Sequence, residues 1–289
     1  MQAYGKVFRQ LRRERHVTQA SLCDGGFTQS ALSKFERGVT TLGVDTFFTL
    51  LAKINVSPDE FLFIANGYQM DQQTRIREAL TAANNIGDFD TIRSLGAQLA
   101  SLPQPTPADQ HLQALASACI QLQEATTPEA GLKAATKTLA NVRAHLIRVE
   151  TWGVYELRLY TNTLYLYTPE VLVELSTIAA KRWQSFADYP AFGGDLIYMF
   201  INTAQCFVNY GDLAHARIAL KQAQTKATSR HSVFGLVLCQ YLQGTLAILD
   251  GTHPIIGRQQ VTDSLQILER MGISTAQYRD SLSRHHILV

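Results

Sequence analysis

The residues with the most specific chemistry lie between positions 12 and 37. Gln29, Ser30 and Lys34 open one short segment that follows a glycine pair, Gly25-Gly26. Small polar side chains in the first turns of a helix suit base edges in a major groove, where a glutamine amide can hold adenine through two hydrogen bonds. Thr28 stands where it would cap that helix, with a backbone amide free for a phosphate at the positive end of the dipole. Thr18 is the N-cap candidate of the preceding helix, and Gln19 beside it would also cap that helix and donate to another phosphate. Arg13 and Arg37 are cations for the same purpose. Residues 1–37 carry seven Lys/Arg against three Asp/Glu, whereas residues 67–289 carry eighteen of each. A positive field confined to one end fits a polyanion partner there and a neutral remainder suited to sensing.

A second pattern lies far along the chain. Asp195, Tyr198, Asn202, Gln205 and Asn209 recur at spacings of 3, 4, 3 and 4 within the otherwise apolar segment 192–210. At 100° per residue they form one line along one helix face. Arg158, Asn162 and Tyr165 repeat the line at i, i+4 and i+7, and Gln240 and Gln243 interrupt the apolar stretch 233–249. Amides in such a line could grip the backbone of an extended peptide while neighbouring Tyr and Leu bury its side chains. The same line also reads as the solvated face of an ordinary amphipathic helix.

Other chemistries find little support. There is no GxxxxGK[ST] loop, HExxH pair or GxSxG elbow, so neither an enzyme nor a cofactor or metal site is expected. His285-His286 reads as a polar tail. The four cysteines, Cys23, Cys119, Cys206 and Cys239, have no CxxC spacing and read as reduced thiols of a cytoplasmic protein. No apolar run reaches the length of a membrane helix, and the first residues lack the apolar core of an export signal.

The elements that would position these residues are helical nearly throughout, because apolar residues return at i, i+3, i+4 and i+7 while strict alternation is scarce. With 46% apolar and 17% charged residues among 289, the chain can bury a substantial core. Five short helices are expected before Gly67: about Tyr4 to Arg15 with Val7 and Leu11 inward, Thr18 to Cys23, Thr28 to Gly38 with Ala31, Leu32 and Phe35 inward, Val44 to Ile54, and one opened by Ser57-Pro58-Asp59-Glu60. A pair at about 71–83 and 89–102 follows. Thr106-Pro107, Thr127-Pro128, Thr168-Pro169 and Tyr189-Pro190 then mark helix starts, with weaker starts at Thr151, Gly211-Asp212, His231-Ser232 and His253-Pro254. One start about every 21 residues makes hairpins of about 42, the signature of an α-solenoid in which alternate helices line one surface. Two domains are expected, 1–66 and 67–289.

The first 65 residues resemble the helix-turn-helix domain of phage-repressor-like (XRE-type, lambda-repressor-like) regulators. Thr18-Gln19, Leu22 and Phe35-Glu36-Arg37-Gly38 carry the match, with an inter-helix turn one residue shorter. The resemblance implies that Glu36 pairs with Arg12 as a structural ion pair. It widens over the whole chain: such a domain followed by degenerate helical hairpins, with Trp152-Gly153-Val154-Tyr155-Glu156-Leu157 and then Leu159-Tyr160 and Asn162, is similar to the Rgg (MutR/GadR) regulators, peptide-pheromone sensors of low-GC Gram-positive bacteria. That implies an all-α fold with a TPR-like repeat domain. It also implies a homodimer on a near-palindromic promoter site of double-stranded DNA, and a short hydrophobic peptide as effector. A metabolite or protein partner stays open as the alternative effector. Residues 39–47 contain no cysteine that could link two heads, as occurs in that family.

Overall fold

The computed structural model describes residues 4–23, 27–186 and 193–288 and is helical, with no strand among them. The glycine turn 25–26, the start at Tyr189-Pro190 and the side chain of Asp195 lie outside the described residues. Two compact units are present, Met1–Asp88 and Phe89–Val289, so the division falls after 88, one helix later than the punctuation at Gly67.

The first unit contains α1 (Tyr4–Glu14), α2 (Gln19–Leu22), α3 (Gln29–Glu36), α4 (Val44–Lys53), α5 (Pro58–Ala65) and α6 (Gln72–Ile86). Side-chain caps start four of them: Thr18 Oγ1 accepts from Ser21 N at 3.1 Å, Thr28 Oγ1 from Ala31 N at 3.2 Å, Ser57 Oγ from Glu60 N at 3.1 Å, and Asp71 Oδ1 from Thr74 N at 2.9 Å. Helix α3 ends in a Schellman turn. Gly38 takes a left-handed φ of 76°, its N–H bonds Phe35 O at 2.8 Å, and Val39 N–H bonds Lys34 O at 2.9 Å.

The unit's core joins Phe8, Leu11, Leu22, Leu32, Phe35, Leu50, Leu51 and Phe61. Phe47 links its aromatic rings, 5.9 Å from Phe35 and 5.0 Å from Phe61. Phe8 is fully buried and Val7 only partly so, because Phe8 and Leu11 are the pair that faces α3. Gly5 lets α1 approach α3 closely: a β-carbon there would sit 1.8 Å from Phe35 O.

The second unit runs through α7 (Phe89–Ala100), α8 (Pro107–Glu124), α9 (Pro128–Thr138), α10 (Ala140–Arg148), α11 (Val154–Thr163), α12 (Pro169–Arg182), α13 (Gly193–Asn209), α14 (Leu213–Ser229), α15 (Val233–Leu249), α16 (Pro254–Arg270) and α17 (Ala276–Arg284). Prolines open α8, α9, α12 and α16 at their first position. Asp212 and Ser232 cap α14 and α15.

The spacing misses in three places. The stretch after Pro128 is two helices, because Leu139 leaves helical backbone for one residue (φ −89°, ψ 13°). Helix α11 begins three residues after Thr151. Helix α17 has no counterpart among the expected starts.

Helices α13 and α14, and α15 and α16, pack as hairpins, while α13 also packs on α11 and on α15. The α15–α16 crossing is the tightest. A β-carbon on Gly244 would stand 2.6 Å from Gly257 O, and one on Gly257 2.6 Å from Gly244 O. No helix among the described residues is long and apolar enough to cross a membrane.

Candidate functional site

Helix α3 divides cleanly between core and solvent. Leu32, Phe35 and Glu36 are buried, whereas Gln29, Ser30, Lys34 and Arg37 are exposed, as is Arg13 on α1. Arg37 folds back so that its Nε donates to Ser33 O at 3.3 Å.

Beneath that face lies a buried polar network. Arg12 Nε donates to Glu36 Oε1 at 2.6 Å and its NH2 nitrogen to Oε2 at 2.9 Å, while its NH1 nitrogen reaches Val17 O at 2.6 Å. Gln19 Nε2 donates to Glu36 Oε2 at 2.8 Å. One carboxylate therefore ties α1, α2 and α3 together. This corrects the reading of Gln19 as the cap of α2: the cap is Thr18, and the Gln19 amide turns inward to Glu36.

The stripe on α13 forms a wall of a cleft of about 220 Å³ in the second unit. Asn202, Gln205 and Asn209 face Leu238, Tyr241 and Leu242 of α15 and Tyr278, Ser281 and Arg284 of α17. Asn202 and Asn209 are exposed and Gln205 is half-buried. Gln205 Nε2 donates to Asn209 Oδ1 at 3.1 Å and to Ser281 Oγ at 3.0 Å. Tyr241 OH donates to Tyr278 O at 3.0 Å, and burial pushes its pKa up to about 12.

The other stripe positions are not brought there. Tyr198 packs its ring 5.7 Å from Phe234 of α15. Arg158 and Asn162 are half-buried on α11, outside the cleft lining. Tyr165 is not on α11 at all. The helix gives way to a 3-10 turn, Leu164–Leu166, and the Tyr165 hydroxyl is buried against the Cys119 thiol of α8, which raises its pKa, although the residue keeps 39% exposure. Gln240 is also misplaced, since it lies about 200° round α15 from Leu238 at 100° per residue. The polar group of α15 in the cleft is Tyr241. Sequence reasoning missed Tyr241 and all of α17; Tyr278 and Leu282 at i, i+4 were the available signal.

Among the described residues no group of three or more His, Cys, Asp or Glu is placed to hold a metal. The four thiols are unpaired by disulfides, and burial raises Cys206 to about 12 and Cys239 to about 11.

Comparison with known proteins decides the family. Residues 105–280 match the model of the C-terminal domain of the HTH-type transcriptional regulator Rgg, and residues 8–61 match a helix-turn-helix model. The chain belongs to the Rgg family of transcriptional regulators. Its fold is similar to that of a transcriptional regulator from Listeria monocytogenes EGD-e, at 18% identity over 99% of each chain with a TM-score of 0.80. It is similar to the SHP pheromone receptor Rgg2 of Streptococcus dysgalactiae, at 19% identity over 98% of each chain with a TM-score of 0.72. It also resembles Bacillus thuringiensis PlcR in complex with the peptide PapR7 and DNA, at 14% identity over 98% of this chain and 99% of that one, with a TM-score of 0.66.

The residues that carry the Rgg resemblance around position 152 have structural work in this fold. Trp152 is 1% exposed and its Nε1 donates to Leu146 O at 2.9 Å. Glu156 caps α11 by accepting from Gly153 N at 2.8 Å, and its other oxygen meets His145 Nε2 at 2.9 Å. Tyr155 OH meets His111 Nδ1 at 2.7 Å, and the two imidazole rings lie 5.0 Å apart. Burial, reinforced by the neighbouring His145, lowers the His111 pKa, while burial pushes Tyr155 up to about 12. Tyr160 OH and Thr203 Oγ1 close the layer between α11 and α13 at 2.9 Å.

Proposed function

We propose that this Rgg-family chain reads a promoter site through α3 and adjusts that activity when a short hydrophobic peptide occupies the cleft lined by α13. The observation that carries the reading is the pairing of two exposed polar surfaces with unlike chemistry. One is short and cationic, the other neutral and rich in amides.

On the DNA side, Gln29 and Ser30 present groups for base edges, with Lys34 one turn along. Thr28 N–H, Arg13 and Arg37 address phosphates, and Gln19 offers its remaining amide hydrogen. Two copies would place two α3 helices on half-sites of a near-palindrome. On the effector side, Asn202, Gln205 and Asn209 would bond a peptide backbone while Leu238, Tyr241 and Leu242 bury its side chains. Arg158 and Asn162 would extend the same surface along α11. The peptide acts by binding one arrangement of the repeat domain better than another, with a coupling of about 1–3 kcal/mol. Such a chain works in the cytoplasm, where both DNA and an imported peptide are met.

Salt titration tests the DNA half. Log affinity for a duplex from the chain's own upstream region should fall linearly with log salt, and a flat response rejects phosphate contact. For the peptide half, the double variant Asn202→Leu/Asn209→Leu should abolish the thermal stabilisation that synthetic hydrophobic octapeptides give the parent. Unchanged stabilisation would remove the groove from this position.

A further inference from the structure

The last helix supplies charge to a cleft that is otherwise neutral. Of the described residues lining it, Arg284 alone is charged; the rest are amides, hydroxyls and apolar side chains. Helix α17 is fixed firmly enough to present that group. Ser281 is 4% exposed and receives the Gln205 amide at 3.0 Å, the Tyr241 hydroxyl reaches Tyr278 O at 3.0 Å, and Leu282 is 1% exposed. Arg284 stands three residues beyond Ser281, so it shares the face that looks into the cleft.

The existing partner of Arg284 is a weak one. Its NH2 nitrogen lies 3.2 Å from Asp280 Oδ2, with the two side chains 60% and 70% exposed. An exposed i, i+4 pair of this kind contributes a few tenths of a kcal/mol and yields to a better-placed anion. The cleft side offers better placement. A carboxylate there would face the guanidinium fork and have the Ser281, Asn209 and Tyr241 groups beside it, partly shielded from water. The charge already acts in that direction, since Arg284 opposes the burial that raises the Tyr241 hydroxyl.

We infer that Arg284 anchors a carboxylate of the bound peptide, so that the cleft selects ligands by a negative group at the α17 end as well as by apolar side chains. The inference rests on the peptide reading above and adds the chemical class of the ligand's anchoring group. Two sources share this chemistry, the peptide's C-terminus and an acidic side chain.

The test uses the full chain and four equimolar pools of random Leu/Ile/Val/Phe octapeptides. The C-termini are free or amidated, and each kind is made with or without one glutamate. Thermal stabilisation should require about tenfold less peptide for any pool bearing a carboxylate than for the amidated pool without glutamate, as a charged hydrogen bond implies. Comparison of the two singly charged pools identifies the source. Arg284→Gln should erase the difference between the charged and uncharged pools, and Arg284→Lys should keep part of it. Asp280→Asn, which removes the competing carboxylate, should strengthen binding of the charged pools. An advantage that survives Arg284→Gln, or equal responses to all four pools with the parent chain, overturns the anchor while leaving the peptide cleft standing. If no pool stabilises the parent chain, the peptide reading fails and the anchor fails with it.

Discussion

Removing Glu36 should cost the first unit more than any exposed charge change could. Its side chain is 1% exposed and accepts three hydrogen bonds, two from Arg12 and one from Gln19. Glu36→Ala leaves a guanidinium whose side chain is 9% exposed without its counter-charge, and strands the Gln19 amide beside it. Breaking a buried pair from one side costs about 3–5 kcal/mol. Arg12 keeps its bond to Val17 O at 2.6 Å, which places the expected loss near the lower end, about 3 kcal/mol. For a unit ending at Asp88 this corresponds to a midpoint drop of about 12–24 °C. The double replacement Arg12→Met/Glu36→Met removes both charges and should recover much of the loss. Both tryptophans, Trp152 and Trp183, lie in the second unit, so intrinsic fluorescence follows the wrong transition. Amide hydrogen exchange of peptides from α1 and α3 reads the right one. A loss below about 1 kcal/mol for Glu36→Ala, or a double variant no better than the single, would refute the claim that this pair holds α3.

Two further outcomes follow from the packing. Gly5→Ala forces a methyl group against Phe35 O, so α1 and α3 must separate; exchange protection in both helices should drop by about 3 kcal/mol, and a change within 0.5 kcal/mol would deny the close approach. His111 has its pKa lowered in the fold, first by burial and then by His145, with Glu156 opposing; it also faces the Tyr155 hydroxyl. A depressed histidine pKa favours the neutral form in the native state, so its stabilisation is whole above about pH 6.5 and is lost as pH falls below that value. The urea midpoint of the second unit, followed by tryptophan fluorescence, should fall on acidification from about pH 7.5 to about pH 5, and His111→Asn should make that fall shallower. An unchanged slope would remove His111 from the titration.

Much of the architecture was legible because its signals are local. Threonine and serine caps, Pro at first positions and Gly38 at the end of α3 act within a few residues, so helix starts from Gln19 to Pro254 can be read from spacing. The inward turn of Gln19 could not be read. A residue at a helix start has the same neighbours in sequence whether its side chain meets a phosphate or Glu36, and only the tertiary approach of α1 to α3 decides. Tyr165 failed for a different reason. The period of 3.6 does not continue past Thr163, where the backbone changes to a 3-10 turn and the ring swings toward Cys119. Gln240 stands out in sequence as polar within an apolar run, yet the face of α15 that matters is set by the glycine crossing with α16. The amides of α13 came together as their spacing implied. What they face, α17, lies in a stretch without a proline start, and its N-cap residue, Thr275, makes no side-chain cap bond.

The glycine crossing has a consequence for how ligand choice can diverge. With Gly244 and Gly257 backbones in direct contact, the α15 side of the cleft has no slack: any larger residue at the crossing would pry the hairpin apart, so this side is a fixed ruler. The opposite side is a nine-residue helix, Ala276–Arg284, held through Ser281, Tyr278 and Leu282 and by the exposed pair of Arg279 with Glu269 of α16 at 2.9 Å. On the proposed peptide reading, a handful of changes there would retune which ligand the cleft takes while every residue of α3 stays as it is, and two such chains in one cell would be insulated from each other's cues by this helix alone.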